Sequence, residues 1–183
     1  DTILLGALEL QPNQQYNFSV NTHLPNGNND NDMSNDTIDL GPVYAKLNGL
    51  YTVGGVDPDF STLSLAFAAI TNGGMLDSVA FAVRDGLYAD PIELISQSAY
   101  SCAKPVRVYA ESGNAAEVVF NNDNQVKPTI RLNGVSGISF SNMSFELTAS
   151  AFHNVVIIEN GASCNSFVSC KFTGRISTQT STA

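Results

Sequence analysis

Arg84, Arg107 and Arg131 are separated by 23 and 24 residues. If each interval is one turn of a repeating coil, the three guanidinium groups stack on one outer face. A planar fork of N–H donors matches a carboxylate, so such a row would be a substrate-binding stripe for an acidic polymer. Asp85 and Glu111 stand beside the first two arginines, and the competing reading is a solvated ladder that relieves an acidic surface. A second arrangement lies in an acidic loop. Asn28, Asp30, Asp32, Ser34, Asp36 and Asp39 occupy positions 1, 3, 5, 7, 9 and 12 of a twelve-residue window, the oxygen-ligand spacing of a Ca²⁺ loop. Asn28, Asp30, Asp32, Asp36 and Asp39 are the candidate ligands. Against this, Met33 stands where the sharp turn needs Gly, position 12 is Asp rather than Glu, and no helical pattern flanks the window. A solvated hairpin loop is the alternative, and no cofactor other than Ca²⁺ is expected.

The remaining reactive side chains suggest less. Cys102, Cys164 and Cys170 fit no zinc spacing, and the two histidines, His23 and His153, lie far apart. Three readings stay open for the thiols: buried small hydrophobes, a Cys164–Cys170 disulfide across one turn, and a catalytic thiol that no motif supplies with a histidine. Asp77, Asp85, Asp90 and Asp123 fall at strand ends or in turns, and no two carboxylates are placed for acid–base glycoside chemistry. No catalytic residue is therefore expected in this segment. Eight basic residues face 17 acidic ones, a net charge of −9. Such a surface repels phosphate backbones, and without a basic stripe nucleic acid is not an expected partner. No run of 18 apolar residues exists, so no membrane span is expected. The opening Asp1-Thr2-Ile3-Leu4-Leu5 lacks a basic start, and the chain is expected to begin inside a domain.

The elements that must position these groups are read from periodicity. Hydrophobic content is 43% and charged content only 14%, the polar surface being Asn, Ser, Thr, Gln and Gly, which suits an all-β chain with many turns. In residues 1–47, Tyr16, Phe18 and Val20 alternate with polar neighbours, and a strand near Thr37–Leu40 should end at Gly41-Pro42. This segment reads as the C-terminal part of a β-sandwich. The boundary falls at Leu47–Leu50. Leu63, Ala66, Phe67 and Ile70 then recur at i, i+3, i+4 and i+7, one stripe of a helix over Ser61–Thr71 that Asn72-Gly73-Gly74 stops. Ser61 or Asp59 is the expected cap.

Beyond Gly74 only short apolar strands remain. Those near Val79, Val106, Ile130 and Val155 are spaced by 27, 24 and 25 residues. A period in this range with two or three strands per unit signals a solenoid. Residues 48–183 are thus expected to form the cap and first coils of a right-handed parallel β-helix, continuing past the chain, with Val, Ile, Leu and Phe stacked inside. The helix is its capping plug, because an open end exposes unpaired backbone and apolar bore.

Several stretches resemble pectin-lyase-like β-helix domains in large surface proteins of Bacteroidetes. They are Tyr51-Thr52-Val53-Gly54-Gly55-Val56-Asp57-Pro58-Asp59-Phe60-Ser61-Thr62-Leu63, Val83-Arg84-Asp85-Gly86-Leu87-Tyr88, Tyr109-Ala110-Glu111-Ser112-Gly113, Ile130-Arg131-Leu132-Asn133-Gly134 and Cys170-Lys171-Phe172-Thr173-Gly174. Residues 1–47, with Asn35-Asp36-Thr37, resemble the tail of an immunoglobulin-like or CARDB-type module. The resemblance implies export to the cell surface, often by type IX secretion, and O-glycosylation at Asp1-Thr2-Ile3, Asp36-Thr37-Ile38 and Asp77-Ser78-Val79. On this reading the chain is a non-catalytic part of an extracellular or cell-surface adhesin-like protein. Its partners are the rest of the same polypeptide and an extracellular glycan or surface protein. The alternative is the N-terminal part of a polysaccharide lyase or glycoside hydrolase whose active site lies in later coils.

Overall fold

The structure is a computed structural model that describes residues 6–12, 14–23, 32, 34, 36–151 and 153–174. Its first element pair is an antiparallel ribbon of β1 (Gln15–Asn21) and β2 (Thr37–Tyr44). Tyr16, Phe18 and Val20 lie opposite Val43, Leu40 and Ile38, so one face of the ribbon is apolar, as the alternation requires. Gly41-Pro42 does not end β2. Tyr16 pairs with Val43 and Phe18 with Leu40, so the two residues face Asn17 alone and form a bulge. A proline is tolerated there because, among the described residues, β2 has no second neighbour to which it would donate.

Every later sheet is parallel. β3 (Leu47–Val53) starts the first sheet and pairs with β4 (Met75–Val83), which pairs with β7 (Val106–Ala110), β10 (Ile138–Ser141) and β13 (Ser166–Val168) in turn. The second sheet stacks β5 (Gly86–Tyr88), β8 (Val118–Asn122), β11 (Ser144–Leu147) and β14 (Lys171–Thr173). The third stacks β6 (Ile92–Ile95), β9 (Ile130–Asn133) and β12 (Val156–Glu159). Successive strands visit the three sheets in rotation, so each coil contributes one strand to each sheet. This is a parallel β-helix, all-β among the described residues apart from one α-helix.

That topology corrects the strand correspondence. Val79 does pair with Val106, but Val106 pairs next with Ile138, whereas Ile130 pairs with Ile92 and Val156. Val106 and Ile130 belong to different sheets of one coil. Short apolar runs look alike on every sheet, and the near-regular spacing came from sliding between sheets. The true interval varies because the turns differ in length: 27 residues from Val79 to Val106, 32 from Val106 to Ile138, 38 from Ile92 to Ile130.

Inside the coils the register stacks like on like. Tyr88, Phe120, Phe145 and Phe172 are register partners in the second sheet. Their rings stack at centroid separations of 5.0, 5.6 and 5.5 Å. Phe140 stacks on Phe167 at 5.3 Å, and Phe140 meets Phe145 edge-on at 5.6 Å. Aromatic pairs of these two kinds add about 0.5–1.5 kcal/mol each beyond area burial.

Helix α1 (Leu63–Gly73) covers the start of the bore, with Leu63, Ala66, Phe67, Ala69 and Ile70 buried. It begins two residues later than its expected start. Thr62 is the cap, accepting the Leu65 N–H at 3.2 Å, while Asp59 is drawn to β3, where its carboxylate accepts the Thr52 N–H at 2.7 Å and the Thr52 hydroxyl at 2.8 Å. Gly74 ends the helix at φ +79°, donating its N–H to the Ile70 carbonyl at 2.8 Å.

Cysteine pairing differs from both the disulfide and the all-reduced reading. Cys102 and Cys164, 62 residues apart, form a disulfide, and Cys170 is the free thiol. Cys102 lies in the connection between β6 and β7, and Cys164 in that between β12 and β13, so the bond skips an entire coil. Cys170 packs against the core, half-buried, and burial pushes its thiol above the ordinary range.

Candidate functional site

The three arginines do not stack. Arg84 follows β4 in the turn into β5, Arg107 lies on the first sheet between Ala80 and Ser139, and Arg131 lies on the third between Glu93 and Ile157. The expected stripe required all three to share one sheet, and the mistaken strand correspondence is the reason it fails. Each has its own environment. Arg84 reaches Glu111 at 3.5 Å and donates to the Val56 carbonyl. Arg131 is held at 2.7 Å by Glu159 and at 3.5 Å by Glu93, which also binds Lys127 at 3.1 Å. Carboxylates one coil above and one below therefore occupy this guanidinium. The Lys127 ammonium, with Arg131 beyond it, holds the Glu93 carboxyl below the ordinary carboxylate range.

Arg107 is different. It is exposed, and among the described residues its guanidinium makes no ion pair or hydrogen bond. It borders a shallow groove of about 380 Å³ shared with Gly49, Leu50, Ser78, Ala80 and Pro105. Beneath it, Ser139 and Ser166 are hydrogen-bonded across the coils at 3.0 Å. The sheet's strand period puts Ala80, Arg107, Ser139 and Ser166 in one outward row. The row carries one cation amid small neutral side chains. Besides the ionic Glu93–Arg131–Glu159 series, hydroxyls and amides pair across coils on the outside: Ser136–Ser163 at 2.9 Å and Asn133–Asn160 at 2.7 Å.

Of the calcium candidates, Asn28 and Asp30 lie outside the described residues. Asp32 accepts the Ser34 hydroxyl and, at 3.1 Å, the Ser34 N–H, which in that order lower its carboxyl pKa. Asp36 accepts the Thr22 hydroxyl at 3.0 Å. Asp39 is paired with Ser19 within β2, a strand position and not the end of a loop. Among the described residues no group of three His, Cys, Asp or Glu side chains is gathered as a cation site. Of the modification triplets, the first also lies outside the described residues. Thr37 and Ser78 are exposed, the Thr37 hydroxyl donating to Asn21 at 2.7 Å.

Two clefts flank the cap. One, of about 320 Å³, lies between the start of α1 and β5, lined by Gly54, Ser61, Thr62, Asp85, Tyr88 and Asp90. The other, of about 340 Å³, lies between α1 and β6 and is lined by Phe67, Ala68, Leu94, Gln97 and Tyr100. A general acid at neutral pH needs a carboxyl raised toward 7; the described carboxyls with displaced titration, Asp32 and Glu93, are both lowered and act as charged acceptors.

Two solved structures resemble this one, both of a pectin methylesterase from Aspergillus niger. The deglycosylated form matches with a TM-score of 0.49 at 19% identity over 70% of this chain and 44% of that one. The penultimately deglycosylated form matches with a TM-score of 0.50 at 19% identity over 69% and 44%. The fold is a pectin-lyase-like parallel β-helix. At this identity the likeness extends to the pectin-lyase-like coil alone, and the chain spans less than half the length of the enzyme's chain. No protein-family model matches the sequence, and no curated protein matches it.

Proposed function

We propose that this chain is a scaffold segment of a larger extracellular or cell-surface, adhesin-like protein, and that the outer face of its first sheet binds a glycan or a partner surface. The observation that carries the binding reading is Arg107, uncommitted on an open groove while Arg84 and Arg131 are neutralised by Glu111, Glu93 and Glu159. A cation among hydroxyls and small apolar side chains suits a polymer that offers hydroxyl and carboxylate groups. The Cys102–Cys164 disulfide supports export, since such bonds persist in oxidising compartments. At the far end, Val168 and Phe172 are about half exposed, and β12, β13 and β14 each have an edge that no other described strand pairs with. Further coils of the same polypeptide would cover these edges as each coil here covers the last.

The full-length protein tests this reading. It should be reached by protease added to intact cells, and immobilised glycans should retain it. Arg107→Ala should weaken that retention by about tenfold, the loss of one charge-assisted contact, while Arg131→Ala leaves it unchanged. Cleavage of polygalacturonate or alginate by the full-length protein, with equal retention of the two variants, would overturn it in favour of a polysaccharide-degrading enzyme.

A further inference from the structure

The connection from β6 to β7 is longer than its counterparts. It spans residues 96–105, whereas 134–137 and 160–165 join the same sheets in the next two coils. The added residues reach in opposite directions. Tyr100 turns toward the cap. It is 8% exposed, its ring lies 6.4 Å from that of Phe67 in α1, and its hydroxyl donates to the Phe67 carbonyl at 3.4 Å. Two residues later, Cys102 is bonded to Cys164 in the connection that leads into the last described coil.

The route between these ends passes over the short connection of the middle coil, and Gly137 makes room for it. A Cβ at Gly137 would stand 2.2 Å from the Ser101 carbonyl oxygen and 3.2 Å from the Cys102 nitrogen, and the residue has φ +81°. Cys164 is itself held at φ +54°, a left-handed conformation that a non-glycine residue keeps only where its surroundings impose it.

We infer that residues 96–105 are a strap binding the cap helix to the body of the coil, and that the Cys102–Cys164 disulfide is its redox-sensitive fastening. Both cysteines are exposed, so an external dithiol reaches the bond without unfolding the coils. Thiolate attack breaks the S–S bond through a mixed disulfide. Two electrons and two protons pass from the dithiol to Cys102 and Cys164, which become thiols, and the reductant leaves as a disulfide. The strap then keeps the hydrogen bonds at its two ends, Ser96 N–H to the Asn133 carbonyl at 2.8 Å and the Lys104 ammonium to the Leu76 carbonyl at 2.9 Å, and between them local turns such as Tyr100 N–H to the Gln97 carbonyl at 3.1 Å. Tyr100 is no longer tethered from below, and α1 opens more often. What opens is the cleft between α1 and β6, whose wall includes Gln97 and Tyr100.

Amide hydrogen exchange on the whole chain, with and without dithiothreitol, tests the strap. Reduction should speed exchange in α1 (Leu63–Gly73) and β6 (Ile92–Ile95) by about tenfold or more and leave β10 and β11 unchanged, because local opening and global unfolding are separable. Cys102→Ser with Cys164→Ser should reproduce this without reductant. Tyr100→Ala should loosen α1 with the disulfide intact. Acceleration confined to residues 96–105 and 160–165, or equal in every coil, overturns the inference. So does a Tyr100→Ala chain whose α1 keeps its protection. Reduction of the unaltered chain decides the matter even where a variant fails to fold.

Discussion

Glu93 and Arg131 are register partners on adjacent strands, so their side chains project from the same face as direct cross-strand neighbours. Their exposed fractions of 35% and 37% keep the pair within reach of water, and exposed ion pairs contribute about 0.2–1 kcal/mol. Because Glu93 titrates below its ordinary value, the stabilisation is fully present above about pH 4.3, the unfolded value, and is lost as pH falls through the lower folded value. Glu93→Gln should therefore cost less than about 1 kcal/mol at neutral pH and flatten the acid limb of stability. Urea midpoints measured from neutral pH down through the carboxylate range check this; an unchanged acid limb would refute it. The charge partners were visible in the sequence only as types. Glu111 stood beside Arg107 in the sequence, yet it pairs with Arg84, and nothing in the spacing indicated that Glu93, Arg131 and Glu159 come from successive coils of one sheet, with Lys127 just before the middle strand. Arg107 was named for its place in a row, and its interest now comes from its lack of a partner.

At the scale of single elements, legibility followed length. The helix has eleven residues and a complete stripe, enough to establish its existence, its buried face and a stop within Asn72-Gly73-Gly74, though it runs to Gly73 and not to Thr71. Its start shifted because three capping side chains compete within four positions, and Asp59 finds a better partner in Thr52. β5 has three residues, too few for alternation to register, and reads as a turn because Gly86 opens it. Identical short runs on three sheets also hide which strand stacks on which. The aromatic ladder settles that. Phe145 is 0% exposed and stacks between Phe120 and Phe172, so Phe145→Ala should cost about 3–5 kcal/mol. Phe172, 44% exposed, has the same chemistry with fewer contacts and should cost much less when truncated. Paired urea titrations of the two variants decide this; equal losses would mean that the ladder is not what stabilises the coil.

For the whole molecule, the repeat was legible because every coil must return to the same three faces, and the apolar pattern returns with it. The Cys102–Cys164 pairing was not, because partners 62 residues apart leave no local trace. Their proximity depends on turn lengths and on the absence of a side chain at Gly137. Closing a loop of that size removes about 4 kcal/mol of chain entropy from the unfolded state, which is comparable to losing one fully buried aromatic ring. The placement of the β1–β2 ribbon as part of a sandwich stays with the proposal for the larger protein. Its apolar face, with Val20 46%, Ile38 62% and Leu40 50% exposed, is what such a module would cover.

Skipping a coil gives the disulfide a mechanical meaning. If the chain belongs to a surface protein, as proposed, load pulls it along its length, and a β-helix yields by peeling strands from its ends. The bond shunts force from Cys102 to Cys164 and removes the 62-residue interval from extension, roughly 210 Å of chain at about 3.4 Å per residue. Single-molecule pulling should show a contour shorter by that amount in oxidising buffer, recovered when a dithiol is added. Equal lengths in both buffers would show that the bond carries no force.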